Sequence, residues 1–153
     1  MNITDTWKKN MAELRVLLDA NILLDVLARR EPFYNLSAGV WASVESGQAQ
    51  GLIAAHCITT LYYLVARYTT RPKAVLAVND LLRVFSVATV NQAVIYQALA
   101  MGWRDLEDAV QACAAAQASA HYLITRNAAD FNASPVPVLG PSEFLALMAA
   151  GAS

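Results

Sequence analysis

The run Val16-Leu17-Leu18-Asp19-Ala20-Asn21 constrains the fold of this chain more than any other stretch. Consecutive large apolar residues cannot alternate between a wet and a dry face, so the segment reads as a strand buried on both sides, as in parallel sheets. In open α/β sheets ligands bind just beyond the carboxyl ends of the strands. Asp19, where the apolar run stops, is therefore a candidate working residue. Asp and Asn also cap helices, so a capping role for Asp19 or Asn21 stands beside the functional one.

Hydrophobic spacing organises the rest. Ile22, Leu23, Val26 and Leu27 repeat at helical intervals until Pro32 ends the run. A second helix is expected from Tyr34 to Ser46, burying Leu36, Val40, Trp41 and Val44, with Gly47 as its left-handed cap. Leu52 to Ala55 reads as a strand, and Thr59 to Tyr68 as a helix with Leu61, Leu64 and Val65 inward. Tyr62, Tyr63 and Tyr68, at helical spacing, are expected in core or interface packing. Pro72 opens a helix with Val75, Leu76, Asn79 and Leu82 on one side, followed by a strand at Val84 to Ala88. Thr89-Val90-Asn91-Gln92 resembles a capping box for a helix running to Met101, closed by Gly102.

Asp105-Leu106-Glu107-Asp108 begins what is expected to be the longest helix, with Leu106, Ala109, Val110, Cys113 and Ala116 as a stripe of mostly small residues. Small side chains let a helix lie close to a sheet, and Asp105 and Asp108, three apart, share one face. Tyr122 to Thr125 is the next strand. Val136 to Leu139 is the last, and its Pro137 fits only a sheet edge. Pro141 to Ala149 closes the chain as a helix.

Strands alternating with helices imply an α/β fold, a three-layer α/β/α domain with a central parallel sheet of about five strands. The domain is expected over residues 15–150, after an N-terminal extension at 1–14. With 153 residues, there is enough chain for one core. Although 57% of residues are hydrophobic, polar residues interrupt every apolar stretch, so neither a membrane span nor a secretory signal is expected. The expected location is cytoplasmic. Cys57 and Cys113 lack metal-ligand spacing and read as reduced core thiols, and His56 and His121 as ordinary polar contacts. A net charge of −1 supplies no global attraction to nucleic acid; scattered arginines read first as solvated surface.

The right-handed crossover rule puts the carboxyl ends of all parallel strands on one rim. Asp19 and Asn21, His56, Thr89, and Asn127 with Asp130 follow successive strands, and Asp105 and Asp108 belong to the same rim. Three stretches in this order, Leu17-Leu18-Asp19-Ala20-Asn21, Asp105 to Ala112, and Leu123-Ile124-Thr125-Arg126-Asn127 with Asp130-Phe131, resemble the PIN domains, whose best-known members are VapC-type toxins. The resemblance covers nearly the whole chain from Arg15 onward.

By that resemblance Asp19 matches the family's first metal-binding aspartate and Asn21 the polar residue two positions on. Asp108 matches the third acid better than Asp105, which assists or caps. The place of the fourth acid, after Thr125-Arg126, holds Asn127, leaving Asp130 as the nearest carboxylate, and the place of the second acid holds Thr60. The implied catalytic and metal-binding set is Asp19, Asp108 and Asp130, supported by Asn21, Thr60, Asp105, Thr125 and Asn127, with Arg67, Arg104 and Arg126 toward RNA.

Carboxylates ~4 Å apart repel by about 4 kcal/mol at an effective dielectric of 20, so such a cluster calls for a cation, and Mg2+ or Mn2+ suits all-oxygen ligands. The resemblance implies hydrolytic cleavage of RNA, a homodimer and a small antitoxin partner. Neutral residues at two acidic positions leave a second reading open, a scaffold that binds RNA or a protein without cutting. A receiver domain would need an Asp ending the third strand, and a haloacid-dehalogenase phosphatase an Asp at position 21; this chain has neither.

Overall fold

The computed structural model describes residues 14–152, without the side chain of residue 152; apart from Leu14, the expected extension lies outside the described residues. Five strands, β1 (Arg15–Leu18), β2 (Gln50–Ala54), β3 (Ser86–Ala88), β4 (Tyr122–Ile124) and β5 (Val138–Leu139), pair in the order β3-β2-β1-β4-β5, all parallel. β1 is central because its side chains can be buried on both faces. Val16, Leu17 and Leu18 have no exposed surface, and Leu17 stands opposite Leu52 on one side and Leu123 on the other. β5, with Pro137 just before it, is an edge strand as expected.

The chain extends the sheet from β1 through β2 to β3, then crosses back to place β4 on the other side of β1. The carboxyl ends of β1 and β4 therefore flank the switch point, where the connections diverge and leave a crevice.

Among the described residues, seven α-helices cover the sheet in a three-layer α/β/α arrangement. They are α1 (Ala20–Leu27), α2 (Tyr34–Glu45), α3 (Ala55–Tyr68), α4 (Arg71–Val84), α5 (Gln92–Ala100), α6 (Leu106–Gln117) and α7 (Pro141–Ala152). α5 pairs with α6, which lies along β1, β2 and β4; α2 packs between α1 and α7, and α3 pairs with α4. The buried run from Ala109 to Ala115 lets α6 approach the sheet closely. None of the described helices is long and apolar enough to cross a membrane.

Several local expectations are corrected. α3 starts at Ala55, directly out of β2, so His56 and Cys57 lie in its first turn. α3 and α4, at 14 residues each, are longer than α6 at 12, which ends as the backbone turns through Ser119 at φ 57°. Asn91, not Thr89, caps α5 by accepting the Val94 N–H, and Gln92 donates to the Tyr96 hydroxyl instead of reaching back. Asn is the stronger cap and sits where the helix begins.

Leu36 and Leu106 are exposed. On α4 the apolar side formed by Val75, Leu76 and Leu82 faces outward while Ala74 and Leu81 pack inward. Tyr63 and Tyr68 are also exposed, and half-buried Tyr62 accepts a hydrogen bond from Arg71 Nε.

Gly51 in β2 is required by packing. A Cβ there would meet Phe85 Cδ1 at 2.5 Å and Val44 Cγ1 at 2.7 Å, and Phe85 is itself held edge-on by Trp41 at 5.2 Å between centroids. Gly51→Ala should therefore destabilise the domain by about 1–3 kcal/mol, read as a lowered urea midpoint with an unchanged slope.

Candidate metal centre

Asp19 leaves β1 in an extended conformation, and its N–H donates to the Ile124 carbonyl at 2.9 Å, fixing it beside the end of β4. The residue is 2% exposed. Oδ1 accepts the Asn21 N–H at 3.3 Å and Gln111 Nε2 at 3.2 Å; Oδ2 accepts the Thr125 hydroxyl at 2.8 Å. Capping and site roles coincide here, because the first turn of α1 and the sheet rim meet at this residue. Every one of these donors is neutral, and no cation among the described residues pairs with Asp19.

Gln111 is the residue that sequence reasoning missed. Buried on α6, it donates from one nitrogen to Asp19 Oδ1 and, at 3.3 Å, to Asp108 Oδ1, while its oxygen accepts the Ala20 N–H at 3.1 Å. An amide nitrogen has two protons to give, and here both are aimed at carboxylates, in the way a cation would serve them. The available signal was a polar residue one turn after Asp108, within the otherwise apolar run from Ala109 to Ala116.

Asp105 is the N-cap of α6, its Oδ1 accepting the Asp108 N–H at 3.2 Å. Asp108 is half-buried, and burial first, then the charges of Asp105, Asp19, Asp130 and Glu107, push its carboxyl up to about 7. Asp130 lies exposed in the short 3-10 turn Ala128–Phe131. Asp105, Asp108, Asp130, Arg104 and Trp103 line one open cavity of about 670 Å³, and Asp19 connects to it through Gln111.

The supporting residues divide. Thr125 is fully buried and acts as a relay, donating to Asp19 and accepting the Asn127 N–H at 3.1 Å; the Asn127 carbonyl in turn accepts the Asp130 N–H. Asn21 accepts Arg30 through its side-chain oxygen at 3.2 Å, the same arginine that pairs with Asp25. Thr60 is half-buried on α3, and none of the hydrogen bonds that organise Asp19, Gln111 and Asp108 reaches it. Arg67 is exposed at the end of α3, and Arg104 faces the cavity.

Arg126 is engaged elsewhere. Its guanidinium donates to both oxygens of Asp25 at 3.0 and 3.3 Å and lies 3.8 Å over the Phe33 ring. Asp25, on α1, has no exposure and also takes Arg30 at 2.9 Å and the Ser37 hydroxyl at 2.9 Å. The Asp25 and Arg126 partnership ties α1 to the loop after β4, the segment that carries Asn127 and Asp130.

The PIN domain family profile matches residues 15–129, from the start of β1 to the turn bearing Asp130. The chain belongs to the PIN domain family. Solved structures with this fold include a toxin–antitoxin complex from Klebsiella pneumoniae, with TM-score 0.62 and 22% identity over 82% of this chain and 97% of that one. VapBC-1 from nontypeable Haemophilus influenzae gives TM-score 0.66 and 16% identity over 84% and 99%. VapC20 of Mycobacterium tuberculosis, a sarcin–ricin loop cleaving toxin, gives 0.59 and 16% over 71% and 86%. No curated protein matches the chain. The PIN assignment agrees with the sequence resemblance and with the five-stranded parallel sheet.

Removing the Asp25 carboxylate in this PIN domain leaves two guanidinium groups facing each other. Asp25→Ala should cost about 3 kcal/mol in chemical denaturation, the lower end for a broken buried pair, since both arginines keep some access to water. The raised Asp108 carboxyl sets a pH dependence. The folded state binds the proton more tightly than the unfolded one, so without metal the stability falls as pH rises from about 4 to about 7 and is level above that. Asp108→Asn should flatten this fall in melting temperature and make the metal-free protein more stable than wild type at pH 8.

Proposed function

We propose that this PIN domain is a divalent-metal-dependent endoribonuclease that hydrolyses RNA phosphodiesters, of the kind found as the toxin of a toxin–antitoxin pair. The observation that carries the reading is the pair of carboxylates, Asp19 and Asp108, bridged by one amide at the switch point of the sheet. Two acids held together with only neutral donors between them form an oxygen-rich, negatively charged site, and the upward displacement of Asp108, caused first by burial, is increased by the charges of the neighbouring carboxylates. These donors suit Mg2+ or Mn2+. When bound, the ion would supply a water of lowered pKa and offset charge gathering on the phosphoryl group.

The protein's own contributions follow from the contacts. Thr125 and Gln111 fix both oxygens of Asp19, so little reorganisation is required of it. Asp108, Asp130 and Asp105 present negative charge to the open cavity, and Arg104 offers it a cation for a backbone phosphate. A small antitoxin and a second copy of the chain are proposed as partners, supported by the toxin–antitoxin assemblies among the structural neighbours and by the apolar side chains left exposed on α3, α4 and α5. Thr60 and Asn127, at places where the family carries acids, favour the second reading, a scaffold that binds without cutting.

Cleavage of single-stranded RNA by the purified chain in millimolar Mn2+ tests these readings. The nuclease reading expects cleavage that EDTA stops and fresh Mn2+ restores, that Asp19→Asn abolishes, and that Thr125→Val lowers by about 10–100-fold through loss of the Asp19 support. RNA binding without metal-dependent cutting, unchanged in Asp19→Asn, would establish the scaffold instead.

A further inference from the structure

The first turn of α3 meets the first turn of α6 at a second group of ligand-type side chains, His56, Cys57 and Glu107. One ligand atom of each lies within 4.8 Å of those of the other two. Cys57 is fully buried and not in a disulfide, and its Sγ is 3.7 Å from His56 Nε2. Nε2 stands 3.1 Å from the Glu107 carbonyl oxygen. A carbonyl only accepts, so Nε2 carries the proton of the neutral ring and Nδ1 is left as a lone pair. That Nδ1 is sealed from solvent and has no hydrogen-bond partner among the described residues.

Buried polar atoms are nearly always satisfied, and this one is not. An imidazole with one nitrogen steered by a backbone carbonyl and the other vacant is in the condition of a metal-ligating histidine, and because Sγ lies nearest to Nε2, ligation through Nδ1 requires the ring to turn toward Cys57 and Glu107. Thiolate, imidazole and carboxylate are the ligand types of zinc sites, whereas Mg2+ and Mn2+ prefer oxygen. A thiolate and a carboxylate together carry two negative charges, which a dication would balance, and the buried thiolate has the greater need of it.

We infer that His56, Cys57 and Glu107 form a binding site for a thiophilic dication of the Zn2+ type, separate in ligand chemistry from the oxygen-lined Asp19 and Asp108 pair. Bond lengths of ~2.0 Å to nitrogen and ~2.3 Å to sulfur set tetrahedral ligand atoms about 3.5 Å apart, so closing the site asks for a turn of the His56 ring together with inward shifts of the Cys57 and Glu107 side chains. Three protein ligands leave a fourth position for water. Burial and the charges of Glu107, Asp19 and Asp108 hold the Cys57 thiol well above its ordinary range, so binding must release its proton; the same acids attract the ion that displaces it. Occupancy would clamp α3 to the end of α6 that presents Asp108.

Cobalt reports this chemistry directly, because a thiolate bound to Co2+ adds a charge-transfer band in the near ultraviolet that oxygen ligands do not. The full chain, stripped with EDTA and dialysed, should take up one Co2+ with that band and the visible bands of a tetrahedral site, and Zn2+ should bleach both. Cys57→Ser should remove the charge-transfer band, and His56→Gln and Glu107→Gln should each weaken Co2+ binding by about tenfold or more. Cys113→Ser and Asp19→Asn should keep the band, which separates this site from the proposed nuclease centre. Circular dichroism checks that Cys57→Ser is folded, and His56→Gln probes the same site without altering the buried thiol. No charge-transfer band in the wild type, or a band that survives in Cys57→Ser or keeps full affinity in His56→Gln, overturns the proposal.

Discussion

A carboxylate taken out of water must be given donors, and the way Asp19 receives them sets the geometry of this PIN domain's rim. Its partners come from three places in the chain: the start of α1, the middle of α6 and the end of β4. Because a buried anion lacking any of these would be costly, the carboxylate acts as a common reference point for three elements. The parallel pairing of β1 with β4 brings Asp19 and Thr125 to the same height, and the small residues of α6 allow Gln111 to reach in from the side.

Two buried aspartates, six residues apart, show how environment separates structural from functional acids. Asp25 is surrounded by arginines, and its charge serves to hold α1 against the loop after β4. Asp19 receives only hydroxyl and amide donors, which stabilise the ionised form without cancelling its charge. The field of Asp19 therefore extends to Asp108, where it joins burial and the other acids in holding on to a proton. The chain places positive charge beside one acid and withholds it from the other.

The architecture was readable because each strand is announced by a short apolar run and each crossover by helical spacing, and Asp19 was readable because it ends the most apolar of those runs. Asp105 was readable as a cap from its position before an apolar helix. Gln111 was not, since a neutral amide among alanines carries no chemical signal until Asp19, 92 positions away, is placed beside it. Asp25 and Arg126, 101 positions apart, were hidden for the same reason: an ion pair is a fact of the fold and not of local sequence. The outward apolar side of α4 failed a different rule, since amphipathic spacing marks a face but not its direction, and the inward side is taken by Ala74 and Leu81.

The row of small side chains on α6 reaches beyond packing. Ala112, Ala114 and Ala115 are wholly buried, so the depth at which the helix seats is fixed by methyl groups. Asp108 rides on that helix and Asp19 on the strand beneath it. The gap between the two acids is thus a mechanical tolerance, machined by the alanines on which the helix seats. A single added methylene in that row would act like a shim under a bearing, widening the gap while leaving every acidic residue in place.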